Sequence, residues 1–354
     1  MLEFGDEVDL VTMGFRDLPR VERRGNLTIH RVPCGRRSVT ICHPHEMFVY
    51  VLRALPLVMR LVRERQYDVV HTHFIFPDGV LATIAARRTG MKFIVTAHGS
   101  DVPGYNPDRF QLLHRVLRPV WKPIVRQAEC IVCPSNYIRG LLLESAPDAE
   151  AVVIPNGIDV ERYHPAAVRS KRIVVVSRLV ERKGVQYLIR ALEELEHDYE
   201  VCVVGDGPYL PKLKALATRL KVPVKFTGFI DNTSAQFREI LEQAEIFVFT
   251  SSAENFPVVL LEAMSAGLCI VTTDDTGCRE VVGDAALKVP PHDAAAIRQA
   301  LLTLMSDPAR REALGRAARQ RVVEHFTEGK VAADYRELYM RYARARSDPG
   351  TDQC

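Results

Sequence analysis

The chain has 354 residues, 47% of them hydrophobic, and a formal net charge of +3. That length suits two domains of ordinary size, and so small a charge leaves no electrostatic footprint for nucleic acid. The basic surplus sits in the front half, where residues 1–150 carry 20 Lys+Arg against 16 Asp+Glu.

No apolar run reaches about 18 residues, so no membrane-spanning helix is expected, and no signal-peptide pattern opens the chain. Eight cysteines (34, 42, 130, 133, 202, 269, 278 and 354) show no paired framework, and several fall inside apolar runs such as Val201-Cys-Val-Val204. A reducing cytoplasm is the simple reading. Cys130 and Cys133 lie in the strand-like run Glu129-Cys-Ile-Val-Cys-Pro134. Without a second Cys/His pair, core packing suits them better than zinc.

Strand patterns alternate with helical ones in chain order, the mark of an α/β fold with parallel sheets and crossover helices. In the first half Glu7-Val-Asp-Leu-Val-Thr12, Tyr67-Asp-Val-Val-His71, Phe93-Ile-Val-Thr-Ala97 and Cys130-Ile-Val-Cys133 read as strands. His71 and His73 share one strand face, a spacing that suits a polar pair lining a cleft and, with a third ligand, a metal. Phe110 to Gln127 is a long helical pattern. One side carries Leu112, Leu113, Val116, Leu117, Val120 and Ile124; the other carries Arg109, Arg115, Arg118, Lys122 and Arg126. Pro119 and Pro123 are expected to kink or break it. That basic face suits anionic lipid, with an ordinary solvated face as the alternative.

The Pro, Gly and Asn residues between about Asn156 and Lys171 suit a linker. A second set of strands follows at Arg172–Ser177, Tyr199–Val204, Val224–Thr227, Ile246–Thr250 and Cys269–Thr272. Gly184 to Leu195 has Leu188, Ile189, Leu192 and Leu195 at helical spacing, and Ala295 to Arg344 reads as helices. Two Rossmann-like domains facing one cleft is the architecture this order implies, with the ligand outside the carboxyl ends of the strands.

The most informative stretch is Glu254-Asn-Phe-Pro-Val-Val-Leu-Leu-Glu262. It follows a buried strand and runs into a helix that Gly267 stops. Pro257 suits the first helical position. The helix start offers N–H groups to an anion, phosphate above all. Carboxylates cannot favour a phosphate, so Glu254 and Glu262 suit hydroxyls, and the segment reads as a sugar-nucleotide site. Gly205-Asp-Gly207 follows a strand, but Leu210 stands where a dinucleotide fingerprint needs its third glycine. It reads as a tight turn, which argues against a dehydrogenase.

Several segments together carry a family likeness: His98-Gly-Ser-Asp101, Pro134-Ser-Asn-Tyr137, Ile154-Pro-Asn-Gly-Ile-Asp159, Ser177-Arg-Leu-Val-Glu-Arg-Lys-Gly184, Val204-Gly-Asp-Gly-Pro208, Phe226-Thr-Gly-Phe-Ile230 and Glu254 to Gly267. In this order they resemble the retaining glycosyltransferases of family 4, which have the GT-B fold. The resemblance implies that Glu262 binds ribose hydroxyls and Glu254 contacts the donor sugar near its reacting carbon. It implies that Asn255 and Pro257 are among the donor-binding residues, and that backbone N–H groups of Phe256, Val258 and Val259 hold sugar and diphosphate oxygens. Arg178 and Lys183 would neutralise the diphosphate, His98 would lie close to the donor sugar, and Gly205 would border the donor. Arg and Lys both suit phosphate oxygens, so neither a metal nor a cofactor is expected. Each has a plainer alternative: a solvated helix carboxylate for Glu262, a helix-start residue for Glu254, surface charges for Arg178 and Lys183, a loop hydrogen bond for His98, and a turn cap for Asp101.

By the same resemblance, residues 1–158 form the acceptor-side domain, 171–328 the nucleotide-sugar domain, and 329–354 a terminal helix crossing back and a tail. Relatives usually open with a strand, a glycine-rich loop and a helix ahead of the segment matching Glu7–Thr12. One such unit, roughly 30 residues, is expected to be missing, through an incorrect start or a fragment. The implied activity is transfer of a hexosyl group from a UDP- or GDP-sugar to a hydroxyl acceptor, free or lipid-linked. The implied place is the cytoplasm, at the inner face of the membrane. A non-catalytic nucleotide-sugar-binding relative and a nucleotide-sugar epimerase of the same fold are the other readings.

Overall fold

The computed structural model describes residues 5–37, 42–105, 107–274 and 276–347. The side chains of Arg109 and Leu113, and all of Cys354, lie outside that description. Contacts divide the chain into two units: Met1–Pro134, Ile138–Ile154 and Ala332–Cys354 in the first, and Ser135–Tyr137 with Pro155–Val331 in the second.

The first unit holds β1 (Val8–Met13), β2 (Val21–Arg24), β3 (Leu27–Val32), α1 (Pro44–Glu64), β4 (Val70–His73), α2 (Asp78–Thr89), β5 (Phe93–Thr96), α3 (Pro107–Gln127), β6 (Cys130–Cys133), α4 (Asn136–Ser145) and β7 (Ala151–Val153). One sheet has the order β1-β3-β2 and the other β4-β5-β6-β7. All pairs are parallel except β2 with β3, a hairpin turning at Gly25-Asn26. β1 and β4 are the outer strands of their sheets and line one cavity of 1820 Å³. Its walls include Tyr50, Leu81 and Trp121.

α1 opens with Pro44 in its first turn, and the Glu46 carboxylate accepts the His43 N–H at 2.8 Å, the reciprocal half of a capping box. α3 corrects two expectations. It runs unbroken from Pro107 to Gln127 with Pro119 and Pro123 inside it. Its apolar side is also not one face: Leu117 is half-buried and Ile124 buried, while Leu112, Val116 and Val120 are exposed. β4 starts later than expected, at Val70, and so takes in His73. Cys130 and Cys133 are fully buried in β6 with free thiols, and burial pushes them up to about 11 and about 12.

The second unit holds β8 (Arg172–Val176), α5 (Val185–Glu193), β9 (Glu200–Val204), α6 (Leu210–Ala217), β10 (Val224–Gly228), α7 (Ala235–Glu242), β11 (Ile246–Phe249), α8 (Val258–Ser265), β12 (Cys269–Thr273), α9 (Thr276–Val282), β13 (Leu287–Val289), α10 (Ala294–Ser306) and α11 (Pro308–His325). The last helix, α12 (Glu328–Ser347), begins in this unit, and its residues from Ala332 group with the first. One parallel sheet runs β10-β9-β8-β11-β12-β13. Alternate residues feed two apolar layers. Val174, Cys202, Phe247 and Ile270 point to one, and Ile173, Val201, Val248 and Val271 to the other. The chain builds outward from β8 through β9 to β10, then returns to β8's other side at β11. The helices that follow β8 and β11, α5 and α8, therefore lie on opposite faces of the sheet, the kind of switch point where α/β sheets bind ligands.

Asp78 begins α2, and the Tyr50 hydroxyl donates to its Oδ1 at 2.8 Å. Burial pushes its carboxyl up to about 6, against that hydrogen bond. A raised carboxyl stabilises the fold fully below its unfolded pKa, and that contribution is lost as pH rises through the folded value. Asp78→Asn, which keeps the acceptor, is therefore expected to raise stability near neutral pH by about 3 kcal/mol and to leave it unchanged below pH ~3. Denaturant melts of both proteins at the two pH values test this; a variant less stable at neutral pH would contradict it.

Candidate functional site

The loops after β8 and β11, with the start of α8, carry most of the singled-out residues. The first loop ends in a short 3-10 turn, Glu181–Lys183, capped by Gly184 at φ 74°. A Cβ on Gly184 would lie 2.1 Å from the Thr250 carbonyl oxygen, so only glycine lets the loops touch. The Thr250 hydroxyl donates to the Gly184 carbonyl at 3.0 Å. Arg182 adds a second tie: its guanidinium donates to the Ala253 carbonyl at 2.7 Å, and its own carbonyl accepts the Ser252 N–H at 3.0 Å.

On this frame Lys183 Nζ donates to Glu254 Oε1, which also accepts the Ser251 hydroxyl and lies 3.5 Å from Arg182 Nη1. The side chains of Lys183 and Glu254 are only 13% and 10% exposed. A pair so far from water holds each partner in place, because moving either one leaves a buried charge behind. Lys183 Nζ also lies 5.2 Å from the Phe249 ring centre. Arg178 stands exposed on the same loop.

The loop after Glu254 is fixed from three sides. The Ser135 hydroxyl donates to Asn255 Oδ1 at 2.8 Å, the Asn156 amide donates to the Phe256 carbonyl at 2.9 Å, and the Gly277 N–H donates to the Glu254 carbonyl at 3.0 Å. A Cβ on Gly277 would fall 1.2 Å from the Asn255 carbonyl oxygen. Pro257 departs from expectation. Its ψ of 114° is extended, so it flanks α8 as the N-cap and the helix begins at Val258. Its carbonyl still accepts the Leu260 N–H at 3.0 Å. Val258 and Val259 thus lead α8, where N–H groups have no carbonyl one turn back.

Glu262 is the fifth residue of α8 and 5% exposed. The Asn232 amide donates to its Oε1 at 3.1 Å, and Arg162 in turn donates to the Asn232 carbonyl. Burial pushes the Glu262 carboxyl up, opposed by the hydrogen bond from Asn232. Gly205, at φ 133°, makes the turn from β9 into α6, and a Cβ there would lie 1.9 Å from the Ser177 carbonyl oxygen. Arg182, Gly277, Ser251 and Asn232 are the members of this site that sequence reading missed.

His98 belongs to the first unit, on the loop after β5. Its Nε2 lies 3.0 Å from His73 Nδ1, the Phe74 ring centre is 4.4 Å from its own, and burial lowers its pKa. Asp101 does more than cap a turn: its buried carboxylate accepts the N–H groups of His98 at 2.9 Å and Ile75 at 2.8 Å, stapling two loops. Both His71 ring nitrogens are taken, by the Tyr339 hydroxyl at 2.5 Å and the Thr96 hydroxyl at 2.7 Å. Burial, then His73 and His98, holds His71 down to about 3. Among the described residues no group of three or more His, Cys, Asp or Glu is placed to hold a metal ion.

Comparison with known proteins follows the same two halves. Residues 1–162 match the model described as Glycosyltransferase Family 4, and residues 160–321 match Glycosyl transferases group 1. The chain is 25% identical to N-acetyl-alpha-D-glucosaminyl L-malate synthase of Bacillus anthracis, over 96% of this chain and 90% of that protein. It is 28% identical to the GDP-mannose-dependent alpha-(1-6)-phosphatidylinositol monomannoside mannosyltransferase of Mycolicibacterium smegmatis, over 86% of this chain and 84% of that one. The fold superposes on sucrose-phosphate synthase from Thermosynechococcus elongatus with a TM-score of 0.83 and 22% identity, covering 97% of this chain and 91% of the other. The chain is a glycosyltransferase of family 4, with the GT-B fold.

Proposed function

We propose that this protein moves a hexosyl group from a nucleoside-diphosphate sugar to a hydroxyl acceptor, with retention at the anomeric carbon and with protein cations serving in place of a metal. The observation that carries this reading is the Lys183–Glu254 pair beside the start of α8. A donor entering the site brings two charged phosphates to a lysine, the nearby arginines and the unbonded N–H groups of a helix start. Lys183 then turns from Glu254 to the diphosphate, and Glu254 is left to accept hydroxyls of the sugar. Glu262, oriented by Asn232, accepts the ribose hydroxyls.

In the reaction the bond between the anomeric carbon and the diphosphate oxygen breaks as the bond to the acceptor oxygen forms. The acceptor approaches the face the diphosphate leaves, and its proton passes to the departing phosphate oxygen. Arg178 and Lys183 stabilise the charge that develops on that oxygen, commonly the largest catalytic contribution. His98, held by Asp101 and His73, is assigned to the donor sugar. The acceptor is a sugar or a lipid-linked hydroxyl used at a membrane surface. Among the described residues no helix is long and apolar enough to cross a membrane.

Three outcomes are expected. UDP, GDP or ADP at about 100 times its dissociation constant raises the melting temperature by several degrees, since binding to the folded state alone is then worth about 2.7 kcal/mol; Glu262→Ala abolishes the shift. No shift with any nucleotide in a cooperatively melting chain would count against the donor site. Lys183→Ala lowers kcat for donor turnover by about 10² or more, and removes the nearer of the two cations beside the buried Glu254, leaving Arg182 at 3.5 Å, at a cost of about 3 kcal/mol of stability. Adding Glu254→Gln should recover most of that stability and none of the rate. Glu262→Gln removes a carboxyl whose raised pKa stabilises the fold only at low pH. It should therefore melt higher than the parent near neutral pH, match it near pH ~4, and bind nucleotide about tenfold more weakly.

A further inference from the structure

α3 carries two apolar stripes, and only one of them faces the core. At about 100° per residue along a helix, Leu117, Trp121, Ile124 and Val125 share one side. Trp121, Ile124 and Val125 are buried there, and the Trp121 ring N–H donates to the Asp101 carbonyl at 2.8 Å. Leu112 and Val116, four residues apart on another side, are 75% and 65% exposed, and Val120 continues their stripe to the wall of the cavity lined by β1 and β4. Between the two stripes the same geometry sets Arg115, Arg118, Lys122 and Arg126 in a row. Residues 112–127 contain no Asp or Glu. On α1, Phe48 and Leu52 are a further apolar pair one turn apart, 64% and 56% exposed. α1 and α3 both pack on α2.

A solvated helix face would carry charge where Leu112 and Val116 stand. A protein partner of acidic surface would answer the basic row but leave the leucine and valine stripe without a counterpart. An apolar stripe bordered along its length by cations matches a lipid interface, where acyl chains take the apolar groups and anionic headgroups take the arginines. We infer that the outward face of α3 docks this protein onto an anionic bilayer, with Leu112 and Val116 inserted and Arg115 and Arg118 at the headgroups. The inference builds on the proposed transfer to a lipid-linked acceptor, because it would bring the enzyme to the surface where such an acceptor lies. The geometry of the face stands apart from that reading.

The test is co-sedimentation of the full chain with vesicles of phosphatidylcholine alone or mixed with phosphatidylglycerol. Three proteins are compared: the parent, Arg115→Glu/Arg118→Glu, and Leu112→Ser/Val116→Ser. The parent should pellet with the mixed vesicles only, less so as salt is raised, and each double variant should bind at least about tenfold more weakly. No pelleting of the parent, equal pelleting with both vesicle types, or pelleting unchanged in both variants would overturn the inference. So would a dimer in lipid-free solution that Leu112→Ser/Val116→Ser dissolves, which would seat a second copy on the face. Melting with the nucleotides above is run on every variant. A normal nucleotide shift beside lost vesicle binding shows that the variant is folded. Vesicle binding by a parent that shows no nucleotide shift would sink the transfer reading and leave the docking face standing.

Discussion

The contact between the turn after β8 and the loop after β11 is the constraint on which the second unit's site depends. It is made at backbone level, by Gly184 against Thr250 and by Arg182 against Ala253 and Ser252. With those atoms fixed, Lys183 and Glu254 have little choice but to meet, and their pairing removes two charges from water together. The order of the sheet makes the contact possible, because β8 and β11 are neighbours whose following chains turn to opposite sides. Arg182 therefore serves position as well as charge, its Nη1 donating to the Ala253 carbonyl and lying 3.5 Å from Glu254 Oε1.

The charges of the site are paired within the chain. Lys183 answers Glu254, and Asn232 answers Glu262, so neither carboxylate stands buried without a partner. Affinity for any ligand is then a difference, the new contacts less the old ones exchanged. A neutral sugar offers nothing that would draw Lys183 away, whereas a diphosphate does. The arrangement favours a ligand that carries anion and hydroxyls on one molecule over either fragment alone.

How much of this was legible in the sequence follows from how local each signal is. β5, β6, β8, β9, β11 and β12 stood out because each is a short buried apolar run between turn residues. β2 and β3 were lost because Glu22, Arg23 and Arg24 make a half-exposed hairpin, although Gly25-Asn26 was the available turn signal. In α3 the spacing gives each side chain its angle around the helix but not which of two apolar stripes meets the core; packing on α2 decides that. Glu254, Glu262 and Lys183 could be found because chemistry needs those residue types in one compact motif. Gly277 and Asn232 could not, since the first matters through a backbone clash 22 residues from Asn255 and the second through a hydrogen bond 30 residues along the chain. Pro257 was misplaced by one position because N-cap and first-turn prolines look alike until ψ is known.

The cavity between β1 and β4 bears on how the first unit comes apart. Each of these strands has one flank hydrogen-bonded within its own sheet, and among the described residues the other flank has no strand beside it. Amides of β5, with strands on both sides, exchange only when the sheet opens. The line between the two sheets is thus a seam, crossed by α1 and by side chains such as Tyr50, whose hydroxyl reaches both Asp78 and the Val11 carbonyl. The Tyr50 hydroxyl thus ties β1 to the start of α2, and its loss would show in hydrogen exchange as weaker protection at both places at once.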